Sequence, residues 1–352
     1  MQLTYFHVVC FCLLVVLLLV GIQWIASNNT QHKTLTQHYM WKKIRTAIAS
    51  KSLTPPPNTL TSNKIIWSYW NTSIESDDPT VSENKWISRP FSVDLSIYSW
   101  MKYQPDYTLC FLSDRTVGLY VDMTQFPESY PIMIPAHKAD VIRLAVLEKY
   151  GGVWIDASMI MCKPMLDIFL DSNSNSNPNH QSKSPTSTFD IGGFTIVFGE
   201  NENESVLENW LIATQQPQNR LIKKWKSEFY KAIEEEYQLP QTYIKTLKEK
   251  GINLKSIASP GYLVMHCALE SILQSTPNNY FIIKSFSVRD EVNGPFLYAY
   301  RNQWNVHRAI QYLLNDHGSQ DLCAVKLVGS MRREFDDMWH GFKPGTLIDH
   351  IV

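Results

Sequence analysis

The chain has 352 residues and a formal charge of −1 at neutral pH, and 44% of its residues are apolar or aromatic. This length accommodates one large domain or two modest ones. The balanced charge and the lack of a basic block argue against nucleic acid as a partner. The chain has six cysteines, with no CxxC pair and no Cys/His metal spacing. Cys10 and Cys12 lie in the apolar amino-terminal run, and the other four, Cys110, Cys162, Cys267 and Cys323, are predicted to be buried free thiols rather than a disulfide framework.

The amino-terminal segment predicts a membrane anchor. Residues 5–26 contain no Lys, Arg, Asp or Glu, and residues 8–20 are all Val, Leu, Phe or Cys. Helical residues rise about 1.5 Å each, so this run is long enough to cross a hydrocarbon core of about 30 Å. We therefore expect a short head over residues 1–7 and a transmembrane signal anchor over residues 8–26. A cleaved signal peptide is the alternative.

A polar segment follows the anchor. Residues 27–63 are rich in Ser, Thr and Asn and include the tract Thr54-Pro55-Pro56-Pro57, which predicts a stem or linker without a core. Four Lys or Arg residues lie within residues 27–45, whereas the head has none. On the positive-inside rule, this asymmetry favours a cytoplasmic location for the rest of the chain.

The globular part is predicted to begin at residue 64. Residues 64–70 form an apolar, β-rich run that predicts a first strand, residues 90–103 predict a helix, and residues 107–112 predict a second strand. Alternating strands and helices are typical of an α/β domain with a mainly parallel sheet and flanking helices. We expect one such domain over residues 64–352.

The central block of the sequence places charged residues in an apolar setting. Between residues 139 and 147 only Asp140 and Arg143 are charged, and their i,i+3 spacing puts them on one side of a helix. Gly151 and Gly152 supply the backbone freedom that a tight helix-to-strand turn needs. The strand over residues 153–155 then delivers Asp156 at its carboxyl end, where open α/β sheets bind ligands. A carboxylate there suits a hard divalent cation that carries a diphosphate.

The second half of the chain is less regular. Residues 172–188 are a run of Ser, Asn, Pro and Thr that predicts a disordered surface insertion. The remaining predicted elements are a strand over residues 189–198, helices over residues 206–214, 219–237 and 262–273, and a strand over residues 323–328.

Several of these segments resemble one family. The block that runs from Ala139-Asp140 through Arg143 to Gly151-Gly152-Val153-Trp154-Ile155-Asp156 resembles the capsular-polysaccharide-synthesis glycosyltransferases. It is also similar to the broader group of transferases with a DxD sugar-binding motif. The strand over residues 64–70, the pairs Ser99-Trp100 and Pro105-Asp106, and the triplet Glu208-Asn209-Trp210 resemble further blocks of the family.

The resemblance implies a Rossmann-like GT-A glycosyltransferase that uses a nucleotide sugar and Mn²⁺ or Mg²⁺. By position, Asp156 matches the first Asp of the DxD motif, which in the family contacts the metal or the donor. We therefore expect Asp156 to be the catalytic carboxylate. Ser158 stands where the motif has its second Asp, which removes a negative charge and should weaken metal binding. Asp140 and Arg143 match residues that shape the donor pocket, and we expect the Gly151-Gly152 turn on the donor side.

Other candidate residues are open to two interpretations. His340 and Lys343 resemble a His…Lys phosphate clamp, with His340 as a candidate metal ligand; the alternative is a solvated tail. Asp190 and Asn209 are candidates for the acceptor side, and the alternative for Asp190 is a turn residue. The pair of Asp140 and Arg143 can also be purely structural, tying helix to sheet.

Together, these observations predict a membrane-anchored glycosyltransferase that moves a hexose from a nucleotide sugar to a glycan, glycoprotein or glycolipid acceptor. By analogy with anchored transferases that carry a Pro/Ser/Thr stem, we expect a type II protein of the Golgi or another secretory membrane, with a lumenal domain. Two alternatives stay open. One is a non-catalytic sugar-binding membrane protein on a decayed transferase fold, and the other is a phosphosugar transferase of capsule synthesis.

Overall fold

The computed structural model describes residues 39–71, 89–170, 189–197, 205–235, 237, 241–277 and 280–352. The predicted head, anchor and insertion, over residues 1–7, 8–26 and 172–188, lie outside the described residues. In the part of the chain that is described, every helix is too short or too polar to cross a membrane.

The elements alternate between strand and helix along much of the chain. The strands are β1 (Ile65–Tyr69), β2 (Thr108–Leu112), β3 (Gly152–Ile155), β4 (Met159–Met161), β5 (Ile191–Val197), β6 (Ser205–Thr214), β7 (Ile283–Ser287) and β8 (Ala324–Lys326). The helices are α1 (39–49), α2 (Phe91–Tyr103), α3 (Val117–Tyr120), α4 (Pro135–Tyr150), α5 (Asp167–Leu170), α6 (Arg220–Glu235), α7 (Gln241–Glu249), α8 (Val264–Gln274), α9 (Leu297–Arg301), α10 (Val306–Asn315), α11 (Gly329–Met338) and α12 (Leu347–Ile351).

Six strands form one mixed sheet in the order β2-β1-β3-β6-β5-β7. β1 pairs in parallel with β2 and β3, and β5 pairs in parallel with β7, whereas β6 runs antiparallel to both β3 and β5. The predicted α/β domain with a mainly parallel sheet is therefore confirmed, with β6 as the reversed strand in the middle. Because β1, β2 and β3 are parallel, their carboxyl ends lie along one edge, and the carboxyl end of β3 lies beside the middle of β6, where Ile155 pairs with Leu211.

Helices cover both faces of this sheet. Trp67 and Trp154 point into a core that includes α4, α6 and α8, while Ile66, Val153 and Ile155 point into a second core that includes α2 and α10. Alternate residues of a strand point to opposite faces. The sheet is therefore the middle layer of a three-layer sandwich, and its central strands are buried on both sides.

A small second sheet stands next to the carboxyl end of β3. β4 begins three residues after Asp156 and pairs antiparallel with β8, with Met159 opposite Lys326. The predicted strand over residues 323–328 is thereby confirmed. This ladder brings the carboxyl-terminal part of the chain to Asp156, although Lys326 is 170 positions away in sequence.

One predicted helix is wrong. The segment over residues 206–214 is the strand β6. Its second half, from Trp210 to Thr214, is buried without interruption between β3 and β5. A strand that is buried on both faces loses the alternating pattern, and a short apolar run then fits a helix equally well. The helices predicted over residues 219–237 and 262–273 are confirmed as α6 and α8.

The folded domain begins earlier than the predicted boundary at residue 64. Residues 39–49 are helical, and the side chains of Ile44 and Ile48 are buried in the same core as α2. Their i,i+4 spacing places both on one face of the helix. The mainly polar composition around this pair is what predicted a linker.

A buried ion cluster fixes α1 to α2. Asp94 of α2 is fully buried, and its two oxygens accept hydrogen bonds from Arg45 Nε at 2.8 Å and from Arg89 Nε at 2.9 Å. Removing one partner of such a cluster would leave an uncompensated buried charge. The linker prediction over residues 27–63 is therefore wrong for residues 39–49, which form a helix of the folded domain.

The four described cysteines are buried free thiols, as predicted. Burial raises the pKa of Cys110 and of Cys267 to about 12. Both groups therefore stay protonated at neutral pH and act as small apolar residues of the core.

We predict that Ile44→Ala lowers the free energy of unfolding by about 2–4 kcal/mol, because it removes a fully buried side chain from the core. Tyr39→Ala, in the same helix but at an exposed position, is the control and should change it by less than about 0.5 kcal/mol. Denaturant unfolding of the full chain measures both. An Ile44→Ala effect as small as that of the control would contradict the assignment of α1 to the core.

Candidate functional site

The turn between α4 and β3 determines where Asp156 stands. Gly151 and Gly152 have φ angles of 69° and 92°. A Cβ atom on Gly152 would lie 2.7 Å from the carbonyl oxygen of Ile65 in β1. Only glycine combines this left-handed backbone with such a close approach. The turn thus sets β3 directly beside β1, and Asp156 follows the last residue of β3, where it contacts Arg143 of α4.

Arg143 joins the two acidic residues that the sequence singles out. Its Nη1 donates to Asp140 Oδ1 at 2.5 Å and its Nη2 donates to Asp156 Oδ1 at 2.8 Å. The Arg143 side chain is 2% exposed and lies over the ring of Trp154, 4.9 Å from the centroid. The structure therefore brings all three predicted charged residues together, and Asp140 with Arg143 is a structural pair that also reaches the end of β3.

Both oxygens of Asp156 accept hydrogen bonds. In addition to Arg143, Trp154 Nε1 donates to Oδ1 at 2.9 Å and Lys326 Nζ donates to Oδ2 at 2.9 Å. Burial raises the pKa of this carboxyl, but the charges of Lys326 and Arg143, with the hydrogen bonds from Lys326 and Trp154, outweigh burial and lower the pKa to about 2. Asp156 is therefore ionised throughout the neutral pH range.

Asp140 is enclosed by residues from two further elements. Asn209 Nδ2, in β6, donates to Asp140 Oδ1 at 3.0 Å, and Met265 Sδ, in α8, lies 3.4 Å from Arg143 Nη1. Burial raises the pKa of Asp140 against the opposing attraction of Arg143. The candidate residue Asn209 thus belongs to the same cluster as Asp140.

A cavity of about 420 Å³ opens beside this cluster, at the carboxyl ends of β1 and β3. It is lined by Tyr69, Trp70, Asn71, Pro135, Ala136, Ala139, Asp140, Arg143, Asp156, Ala157, Ser158, Asn209, Tyr262, Leu263 and Arg332. Its volume falls within the range of about 300–1,000 Å³ that is typical of small-molecule and cofactor sites. The lining combines aromatic rings with carboxylates and guanidinium groups, which suits a ligand with a flat ring and negative charge.

The described residues fit the predicted Mn²⁺ or Mg²⁺ site poorly. These ions take several oxygen ligands, but no three His, Cys, Asp or Glu side chains in the described part of the chain converge on one point. Asp156 Oδ2 and Ser158 Oγ each accept a hydrogen bond from Lys326 Nζ at 2.9 Å. A divalent cation bound to both oxygens would have to displace that ammonium. The metal therefore stays a prediction.

Three predicted site residues lie at the opposite edge of the sheet. Gly151 and Gly152 are at the amino end of β3, the far end from Asp156. Asp190 precedes β5 at that same edge, where its carboxylate accepts hydrogen bonds from Arg220 Nε and Nη2. The predicted donor-side role of the two glycines and the predicted acceptor-side role of Asp190 are therefore wrong, because none of the three residues lines the cavity. The glycines form the turn from α4 to β3, and Asp190 pairs with Arg220.

The predicted phosphate clamp also lies away from the cavity. The ring of His340 packs on Trp339, with 4.2 Å between centroids. Lys343 is exposed and lines a separate surface cavity together with Arg308 and Asp316. His340 and Lys343 thus correspond to the alternative interpretation, a tail of the domain away from Asp156.

Two basic residues of the site, Lys326 and Arg332, were not predicted from the sequence. Lys326 is the only charged residue within residues 323–328, the same kind of signal that singled out Asp140 and Arg143. Arg332 lies in α11, and its guanidinium stacks over the ring of Trp70 at 5.0 Å from the centroid. Only the folded structure brings Lys326 to Asp156 and Arg332 to the cavity.

The fold and the cavity define an α/β protein with a charged ligand site at the carboxyl edge of its sheet. The sequence profile of the family described as capsular polysaccharide synthesis protein matches residues 19–247. This match spans more than half of the chain, and the chain therefore belongs to that family. The matched region includes Asp140, Arg143 and Asp156 but ends before Lys326.

Two curated relatives are similar over part of their length. O-glycosyltransferase braB of Annulohypoxylon truncatum is 28% identical over 223 residues, which cover 60% of this chain and 44% of the relative. O-glycosyltransferase PaGT of Phomopsis amygdali is 22% identical over 181 residues, which cover 48% of this chain and 38% of the relative. The chain thus spans less than half the length of the curated relatives it matches. Among solved structures, PaToxG Glycosyltransferase is 18% identical, covering 66% of this chain and 89% of that chain, with a TM-score of 0.29 that is too low to support a shared fold.

We predict that Gly152→Ala lowers the free energy of unfolding by about 1–3 kcal/mol, because the new Cβ atom strains a left-handed backbone and collides with β1. Gly341→Ala is the matched control, since no atom lies within 4 Å of its added Cβ. Thermal or denaturant unfolding measures both variants. Unchanged stability of Gly152→Ala would contradict the structural role assigned to this turn.

Proposed function

We propose that the protein is a glycosyltransferase of the GT-A type that moves a hexose from a nucleotide sugar to a glycan, glycoprotein or glycolipid acceptor. The observation that carries the proposal is the Asp140–Arg143–Asp156 chain of hydrogen bonds beside a cavity at the carboxyl edge of the sheet. Membership of the capsular polysaccharide synthesis family and the two relatives named O-glycosyltransferases agree with it.

The cavity offers a suitable group for each part of a nucleotide sugar. Trp70 and Tyr262 present aromatic rings on which a base or a sugar ring can stack. Arg332 supplies the positive charge for a diphosphate. Its guanidinium is planar and carries several N–H donors, an arrangement that binds phosphate groups well. Nucleotide and sugar can therefore be held by different walls of one site.

Asp140 and Asn209 suit the sugar. A carboxylate accepts hydrogen bonds from hydroxyl groups, and an amide both donates and accepts them. The bond between the two side chains, and the bond from Arg143 to Asp140, hold these groups in place before a ligand binds. Polar groups fixed in this way discriminate between sugars by the positions of their hydroxyls.

Charge on the leaving group is the main demand of the reaction. The bond between the anomeric carbon and the diphosphate oxygen breaks, and its electron pair goes to the diphosphate. The acceptor hydroxyl oxygen forms the new bond to carbon, and its proton passes to solvent water. Fixed positive groups act most strongly as this charge develops. The ionised Asp156, which lines the cavity, holds two such groups in place through its bonds to Arg143 and Lys326.

Hydrolysis of nucleotide sugars by the purified full chain tests the proposal, using a panel of UDP- and GDP-linked hexoses. Release of free sugar and nucleoside diphosphate from at least one donor supports it. No turnover and no nucleotide binding would favour the non-catalytic sugar-binding alternative. A product that carries sugar phosphate would favour the phosphosugar transferase.

We predict that Asp156→Asn lowers the rate of donor hydrolysis by about a hundredfold or more, because the charge that organises the site is lost while the side-chain shape is kept. Asp321→Asn, at an exposed position outside the cavity, is the matched control and should retain activity. Thermal unfolding separates lost activity from lost fold. Near-normal hydrolysis by Asp156→Asn would contradict the site assignment.

The membrane anchor and the location form a second part of the proposal. The stretch over residues 8–26, which has no charged residue and is apolar throughout residues 8–20, supports an anchor. We place the catalytic domain in the lumen of the Golgi or another secretory membrane by analogy with stem-bearing transferases. The basic residues that follow the run favour the opposite orientation. The two orientations make different predictions for protease access.

We predict that the domain is protected from added protease in sealed microsomes and digested once detergent is present. Digestion without detergent would place the domain in the cytosol and overturn the lumenal location. Glycosylation of Asn71 is a weaker measure of the orientation. Asn71 begins an Asn-Thr-Ser sequon, but it also lines the cavity, where a glycan would obstruct a ligand.

A further inference from the structure

Lys326 places a positive charge between the two oxygen-bearing side chains of the Asp156-Ala157-Ser158 triplet. It is the last residue of β8 and lies opposite Met159 of β4. Its Nζ donates to Asp156 Oδ2 and to Ser158 Oγ, each at 2.9 Å. An ammonium has three N–H donors. Within the described residues these two oxygens are its hydrogen-bond acceptors, so one donor remains for a ligand.

The surroundings hold this ammonium in a fixed position. The Lys326 side chain is 6% exposed, and its Nζ lies 5.9 Å from the ring centroid of Trp210. Burying and ordering a lysine is unfavourable unless its charge is paired. The pairing here is with Asp156, whose side chain is 28% exposed and lines the cavity. The ion pair therefore stands between the core and the ligand space.

The carboxylates of the site are paired without a further cation. Asp140 and Asp156 are opposed by Arg143 and Lys326, and Arg332, whose Nη1 lies 3.9 Å from Asp336 Oδ2, adds a guanidinium to the cavity wall. The third residue of the triplet is a neutral serine, so only one carboxylate of this motif could hold an ion. A divalent cation on Asp156 Oδ2 would also face the ammonium at close range, which like-charge repulsion disfavours.

We propose that the ammonium of Lys326 takes the place of a divalent metal ion in this site. Together with the Arg332 guanidinium it binds the donor's diphosphate, so that transfer needs no divalent metal. This inference rests on the proposed function and names the group that neutralises its leaving group. As the bond from the anomeric carbon to the diphosphate breaks, its electron pair stays on the diphosphate oxygen, where the remaining N–H of Lys326 meets the charge. The acceptor hydroxyl oxygen bonds to the carbon, and its proton passes to solvent water.

The metal dependence of the unaltered protein is the first test. The full chain, stripped of metal with EDTA, is assayed for hydrolysis of the UDP- and GDP-hexose panel in EDTA and in Mn²⁺. We expect rates that differ by less than about twofold, which corresponds to a negligible change in barrier. Activity that is lost in EDTA and restored by Mn²⁺ would overturn this inference and leave the glycosyltransferase assignment intact. No turnover in either condition would reject the proposed function itself.

A substitution at Lys326 is the second test, read out by binding rather than turnover. Lys326→Met keeps the length of the side chain and removes its charge, and we expect the Kd for UDP or GDP, measured by calorimetry in EDTA, to rise by about tenfold or more. Lys343→Met is the matched control, because this exposed lysine lies outside the cavity, and its Kd should not change.

Thermal unfolding reports whether each variant is folded. A folded Lys326→Met variant that binds the same nucleotide as tightly as the unaltered protein would overturn the inference. If this variant does not fold, the comparison of EDTA with Mn²⁺ on the unaltered protein decides.

Discussion

The ionised carboxylate of Asp156 is the group on which the site depends. It accepts hydrogen bonds from a guanidinium of α4, an indole of its own strand and an ammonium of β8, namely Arg143, Trp154 and Lys326. These partners belong to three elements, so the same contacts hold α4, β3 and β8 together at this point. Without the negative charge, two nearly buried cations would lose a shared partner, which is costly in a poorly hydrated setting. Fold and charge of the cavity are therefore coupled at one residue.

The backbone around this carboxylate has its own requirements. Gly152 lets β3 lie against β1 from its first residue, and the reversed strand β6 passes beside the end of β3, which brings Asn209 to Asp140. The β4–β8 ladder then returns the distant end of the chain to the same place. Gly152 acts at the amino end of β3, whereas the contact of Asn209 with Asp140 and the β4–β8 ladder lie at the carboxyl edge of the parallel strands, where open α/β sheets leave room for a ligand.

Much of the fold between residues 64 and 155 could be predicted, because its strands and helices are regular and separated by clear turn signals, whereas the helix α1 was mistaken for part of a linker. The segment of β6 could not, since a strand buried on both faces has no alternating pattern to distinguish it from a helix. In the site, Asp140, Arg143 and Asp156 were recognisable as charges in apolar surroundings within one short block. Lys326 carries the same local signal, but its partner lies 170 positions away, and only the pairing of β4 with β8 relates the two.

A structure of the full chain with bound UDP or GDP tests the central claim most directly. We predict that the diphosphate lies in the cavity beside Asp156, with a phosphate oxygen within hydrogen-bonding distance of Lys326 Nζ, about 3 Å. A nucleotide bound elsewhere, for example in the surface cavity beside Lys343, would contradict the site. A divalent ion between Asp156 and the diphosphate, with the Lys326 ammonium displaced, would contradict the role given to this lysine.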